Sequence, residues 1–177
     1  YPWTVSTTTS GIVSATVAGT DLSGKAYAGA TSITFTIDNT APTVTLTDTD
    51  SNNIVAGSNV VTITATFSES MAVTPTINIT GEVSNAAMTA STTADVWIYP
   101  WTVSTTTSGI VSATVAGTDL SGKAYAGATS ITFTIDNTAP TVILTDTGIY
   151  TSLTADSYNL VSGSGVVTIT ATFSEVM

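Results

Sequence analysis

The groups in this sequence that could do chemistry are its carboxylates. Twelve Asp and Glu stand against two cations, Lys25 and Lys123, with no Arg, His or Cys, for a net charge of −10. Without His or Cys there is no imidazole base or thiolate nucleophile, and the acids fall on turn-like stretches rather than in a convergent catalytic set. The chain is therefore not expected to be an enzyme. Carboxylate and amide oxygens are hard ligands, and the chemistry they suit is binding of a divalent cation, Ca2+ foremost. The same charge repels a phosphate backbone, which excludes nucleic acid as a partner. The candidate ligands form two sets: Asp38, Asn39, Glu69 and Asp119, and then Asp48, Asp50, Asp136, Asn137 and Glu175. A plainer reading stands beside this one, in which Asp48-Thr49-Asp50-Ser51-Asn52 is an ordinary polar loop and Asp119 caps a turn with its own carboxylate.

What brings such residues together must be read from the elements around them. Residues 33–48, ITFTIDNTAPTVTLTD, run one alternating strand pattern through a short Asp-Asn-Thr-Ala-Pro joint into another, and the pattern recurs at residues 131–146. Residues 1–49 and 99–147 are the same except that Thr45 becomes Ile143, so the repeat step from 1 to 99 is 98 residues. That is the size of one immunoglobulin-like domain. Alternation with a period of two predicts strands at 43–47, 60–68, 76–80, 83–90, 94–103, 109–117 and 130–136. On the second of these Val61, Ile63, Ala65 and Phe67 face the core and Thr62, Thr64 and Thr66 face water. The fold class is accordingly all-β, with tandem immunoglobulin-like seven-stranded β-sandwiches in a linear rod. Residues 1–38 are the C-terminal part of one repeat, 39–138 a complete repeat and 139–177 the N-terminal part of the next.

Seven strands running up and down place the two ends of a sandwich's chain at opposite poles, so consecutive copies stack in a line. Pro42 fixes its own φ and restrains Ala41 to an extended conformation, which leaves the joint stiff. At each joint the end of the last strand and the loop after the first strand of one repeat then meet the loops after the second and sixth strands of the next. That geometry assembles Asp38 and Asn39 with Glu69 and Asp119, and Asp136, Asn137, Asp48 and Asp50 with Glu175.

Three stretches, Asp38-Asn39-Thr40-Ala41-Pro42-Thr43, Thr66-Phe67-Ser68-Glu69 and Ala116-Gly117-Thr118-Asp119-Leu120-Ser121-Gly122-Lys123, resemble the bacterial immunoglobulin-like (Big-type) tandem repeats of giant surface adhesins. Lys25 and Lys123 depart from the family's turn, which usually has Asn after the Gly. The resemblance covers the whole chain and implies an exported stalk of many domains at the bacterial cell surface, with calcium at the joints. The expected role is a structural spacer whose partners are the neighbouring repeats of its own chain. Two alternatives stay open: a subunit of an extracellular filament, assembled by strand exchange between incomplete terminal domains of different copies, or a module that binds carbohydrate or protein through its loops.

The remaining signals are weaker. Trp97, Tyr99, Trp101 and Val103 share one parity, which reads as core rather than as a sugar-stacking platform. Pro100 on the same strand predicts a bulge or a sheet edge. Asn78-Ile79-Thr80 matches a glycosylation sequon, a pattern of low specificity. An EF-hand reading of the Asp48 loop fails because Ile54 and Asn59 cannot supply the later ligands. In the second copy of that loop residues 148–155 are inserted and Asp156 takes the place of Asp50. The absence of Cys does not choose a compartment, and no apolar run long enough for a membrane segment occurs.

Overall fold

The computed structural model describes residues 1–29, 32–147 and 166–176. They are all-β, with no helix among the described residues, and cluster into two compact units, Tyr1–Asn137 and Thr138–Met177.

The first unit opens with β1 (Gly11–Thr16) and β2 (Ser32–Ile37), which pair antiparallel as a separate two-stranded sheet. The sandwich follows: β3 (Val44–Asp48), β4 (Ile54–Val55), β5 (Val60–Phe67), β6 (Thr76–Ile79), β7 (Val83–Ala87), β8 (Thr89–Ala90), β9 (Val96–Thr102), β10 (Gly109–Ala116) and β11 (Ser130–Ile135). One sheet has the order β3-β5-β9-β8 and the other β4-β11-β10-β6-β7. The expected inward face of the second predicted strand is as read: Val61, Ile63, Ala65 and Phe67 are all buried. Against them the second sheet turns Ile77, Ile79, Val111, Ala113, Val115, Phe133 and Ile135, and the two faces form one hydrophobic core. Trp101 of β9 meets Phe133 of β11 at its centre, with ring centroids 5.3 Å apart. Two sheets sharing a core, antiparallel except where β4 joins β11, make a β-sandwich.

Nine strand segments replace the seven expected. The stretch read as one strand at 83–90 is divided, because β7 pairs with β6 while β8 pairs with β9 in the opposite sheet. Met88 lies at the crossing with its side chain buried, and its amide donates to the Pro75 carbonyl at 2.9 Å. Burying one apolar residue between the sheets is what switches the chain from one to the other. The short β4, read from sequence as loop, pairs parallel with β11. Asn53 and Ser58 flank it with φ of 58° and 70°, reversals that alternation does not encode.

Pro100 sits at a sheet edge. The β5–β9 ladder runs through it without a register shift, Thr62 opposite Pro100, and β8 has already stopped opposite Ile98. A residue with no N–H is tolerated there because its other flank has no strand to bond. Trp101 and Val103 are buried, whereas Trp97 and Tyr99 of the same parity are half-buried against the core.

In the second unit β12 (Val142–Asp146) and β13 (Ile169–Phe173) form an antiparallel pair. Its register, Val142 opposite Phe173 and Asp146 opposite Ile169, is that of β3 with β5, Val44 opposite Phe67 and Asp48 opposite Ile63. The insertion at 148–155 and Asp156 lie outside the described residues.

Candidate metal centre

Three carboxylates from widely separated parts of the first unit converge. Asp38, Glu69 and Asp119 each place one carboxylate oxygen within 4.8 Å of the other two, and no other group of three acids does so among the described residues. Asp38 follows directly on β2, Glu69 lies in the loop after β5 and Asp119 in the loop after β10.

Local chemistry positions each one. Oδ1 of Asp38 accepts the Thr40 amide at 2.9 Å, turning the chain toward Pro42, which is buried. Thr43 and Ser68 then lock the first residues of the new repeat beside the loop that carries Glu69. The Thr43 amide donates to Ser68 Oγ at 2.9 Å, and the Ser68 amide donates to the Thr43 carbonyl at 3.0 Å. Asp119 is held by its own turn. Its Oδ1 accepts the Ser121 amide, the Ser121 hydroxyl and the Lys123 amide, each at 2.8 Å. Gly122, at φ +89°, makes the reversal that a side chain would resist. A bridge between Met71 and Asp119, with the Ala72 amide on the Thr118 carbonyl at 2.8 Å, ties this turn to the loop of Glu69.

Asp119 is the one buried charged residue among the described residues, 1% exposed, and its Oδ2 has no hydrogen-bond partner. Burial opposes its charge, yet the bonds from Lys123, Ser121 and Gly122 outweigh burial and hold its pKa below the ordinary aspartate value. It is therefore an anion with one satisfied oxygen and one bare oxygen. Glu69 shows the opposite strain. Burial first, then the charges of Asp38 and Asp119, a hydrogen bond with Asp38 and the charge of Asp95 all push its pKa up. Three acids that resist ionising together, around a buried oxygen lacking a donor, form a set that a cation would neutralise. All the donors are hard oxygens, the class that suits calcium rather than a soft transition metal.

Of the other expected ligands, Asn39 braces the joint through its nitrogen atoms. Its Nδ2 donates to the carbonyls of Ser6 at 3.0 Å and Thr9 at 2.7 Å, and its amide to Ser10 Oγ at 2.9 Å. Asn137 repeats this bracing with Ser104 and Thr107, and its Oδ1 accepts the Gly57 amide at 2.6 Å. Both asparagines pin the end of a last strand to a preceding loop. Asp48, Asp50 and Asp136 do not gather into a group of three acids. Asp48 Oδ1 accepts the Asp50 amide at 2.8 Å and Asp50 Oδ1 the Asn52 amide at 3.0 Å, the bonds of a polar loop. The Asp136 amide donates to the Val55 carbonyl at 2.9 Å, an element of the β4 pairing. Glu175 lies just past β13 in the second unit. The segment before it repeats the Thr43–Ser68 lock: the Thr141 amide donates to Ser174 Oγ and the Ser174 amide to the Thr141 carbonyl, each at 2.9 Å.

Sequence reasoning did not include Asp95, which acts on Glu69 through its charge and accepts the Ser70 hydroxyl at 2.7 Å. Its φ of 63° reflects a tight reversal before β9, and no spacing rule links it to the joint. The Asn78 side chain of the sequon is engaged across its hairpin, where Oδ1 accepts the Asn85 amide at 2.8 Å. No protein-family model matches the chain, and no curated protein is significantly similar to it.

Proposed function

We propose that this chain is a piece of a stiff extracellular spacer, built from tandem immunoglobulin-like repeats and rigidified by calcium at the joint between one repeat and the next. The observation that carries the reading is the meeting of Asp38, from the end of one copy of the repeated sequence, with Glu69 and Asp119 from the copy that follows. An ion there would link the two copies across a connection only Asn39 to Ala41 long before the buried Pro42. Asp38, Glu69 and Asp119 would hold the ion. The near-identity of 1–49 with 99–147 suits a spacer, whose task is length. The resemblance to bacterial adhesin repeats supports placement at a cell surface.

Calcium calorimetry on the whole chain tests the ion, and small-angle scattering with and without chelator tests the stiffening. Binding that disappears in Asp119→Asn, together with a shorter maximum dimension in chelator, is expected. Asn can still accept the Ser121 and Lys123 amides, so that variant keeps its turn. Unchanged dimensions, or unchanged binding in the variant, would defeat the proposal.

A further inference from the structure

The sandwich is entered and left at opposite poles, and the segments that enter and leave it are bonded lengthwise. Val44, where β3 begins, lies opposite Phe67, the end of β5. Ile135, where β11 ends, lies opposite Gly109, at the turn from β9 into β10. The start of β5 belongs to that second pole, since the Ser58 amide donates to the Val103 carbonyl at 3.0 Å and Asn137 Nδ2 to the Ser104 carbonyl at 3.1 Å. The entering segment, residues 43–55, forms an edge of both sheets, β3 on β5 in one and β4 on β11 in the other. Side chains and backbone extend the first ladder past both ends: the Ser68 amide donates to the Thr43 carbonyl and the Thr62 amide to Thr49 Oγ1, each at 3.0 Å. In the second sheet the Thr134 amide donates to the Asn53 carbonyl at 2.8 Å and the Asp136 amide to the Val55 carbonyl at 2.9 Å. Asn137 Oδ1 adds a third bond there, from the Gly57 amide at 2.6 Å. Only glycine permits it, because a Cβ at position 57 would meet Thr105 Cα at 2.6 Å and Asn137 Oδ1 at 2.8 Å. Val44 and Val55 are buried and anchor the entering segment in the core.

From this arrangement we infer that the repeat bears tension, with residues 43–55 and β11 as its clamp. The inference rests on the spacer reading for the direction of load: along a tandem array, tension enters at Pro42 and leaves at Asn137. Pulled that way, β3 must slide along β5. β4 is parallel to β11 and is drawn toward one pole while β11 is drawn toward the other. Both ladders are thus loaded along their length, so their bonds share the force and yield together, and Val44 and Val55 must leave the core in the same event. An edge strand peeled from one end gives up its bonds one at a time instead. Rupture under load reports the barrier to unfolding and not the equilibrium stability, so the direction of pulling changes it while contacts and stability stay the same.

The chain has no cysteine, so pulling handles can be attached at chosen thiol pairs on the full-length protein. Ala41, Ala56 and Ala139 are exposed and accept cysteine without disturbing the core. Ala41→Cys/Ala139→Cys loads the sandwich from pole to pole, in the direction of the array. Ala56→Cys/Ala139→Cys holds it by two points at the exit pole and peels β4 from β11. In an optical trap at one loading rate, the first pair is expected to rupture at a force several-fold above the second. Its rupture should be a single step that releases about 300 Å of chain, at ~3.4 Å per residue. Urea unfolding of the two variants without load is expected to give the same midpoint, which assigns the difference to direction alone. Equal rupture forces, a weaker pole-to-pole geometry, or gradual extension of the first pair with no single step would overturn the inference. Both pulls are made in chelator, so this comparison can fail while the calcium joint stands, and the joint can fail in calorimetry and scattering while this comparison stands.

Discussion

Phe35 and Phe133 are the same residue in the same local sequence, and their truncation should separate what the strand pair contributes from what the sandwich contributes. Phe133 is fully buried against Trp101, so Phe133→Ala loses the transfer free energy of the ring and leaves a cavity in a two-sided core. Such truncations cost about 3–5 kcal/mol. Phe35 is 42% exposed on an open face, so Phe35→Ala leaves no enclosed cavity and loses only part of a burial worth about 1.5–3 kcal/mol when complete. An effect of about 1 kcal/mol is expected. Urea unfolding followed by tryptophan fluorescence reads the difference, at a concentration where sedimentation shows monomers. With a slope of about 2 kcal/mol per molar, Phe133→Ala should lower the midpoint by about 2 M and Phe35→Ala by about 0.5 M. Equal losses in monomeric protein would mean that the hairpin face is covered within one chain. A neutral Phe133→Ala would mean that the two sheets do not share a core.

A second twin pair tests close packing: a Cβ at Gly117 would meet Met71 Sδ at 3.0 Å and Phe67 Cζ at 3.3 Å, whereas Gly19 has nothing within 4 Å. Gly117→Ala should therefore destabilise by about 1–3 kcal/mol in thermal unfolding, and Gly19→Ala by much less. In chelator the raised pKa of Glu69 favours the folded state below its ordinary value of 4.5, and that contribution is lost as pH rises through the folded pKa. The lowered pKa of Asp119 has the opposite sign, contributing above 3.8 and fading as pH falls through the folded pKa. Melting temperature should consequently decline as pH rises from 4.5, and Glu69→Gln should flatten that decline; a parent curve as flat as the variant's would contradict the crowding of carboxylates.

What could be read from the sequence follows the range of the forces involved. Alternation located β5, β10 and β11 and the inward face of β5, because a strand with one buried face writes its burial into every second residue. It could not locate β4 or divide β7 from β8. Those features depend on reversals at Asn53 and Ser58 and on Met88 turning inward, and neither leaves a periodic trace. The site was legible to the same degree. Asp38, Glu69 and Asp119 were grouped by counting strands and asking which loops share a pole, a topological argument that holds if the fold is right. Counting could not say what Asn39 and Asn137 do, since an amide at a joint can ligate or brace. The bracing is seen only in the set of carbonyls within reach of Nδ2.

Asp21 and Asp119 make the distinction between local and tertiary structure concrete. Their turns are the same eight residues, and the hydrogen bonds are the same: Asp21 Oδ1 accepts the Ser23 amide at 2.8 Å and the Lys25 amide at 2.9 Å, as Asp119 does with Ser121 and Lys123. Both carboxylates have lowered pKa values, Asp21 chiefly through Ser23 and Lys25. The turn is thus complete without its surroundings, and turn formation cannot be what Asp119 adds at the joint. What differs is that Asp119 is buried with one oxygen lacking a donor while Asp21 is exposed, and that Asp38 and Glu69 stand beside only Asp119. A sequence can therefore preform one ligand in every repeat, but the centre exists only where the last strand of one repeat reaches the loops of the next. On the proposed function, cation affinity and correct stacking of repeats would be one equilibrium, and an ion bound at such a centre would stabilise the joint by as much as the joint strengthens the ion's binding.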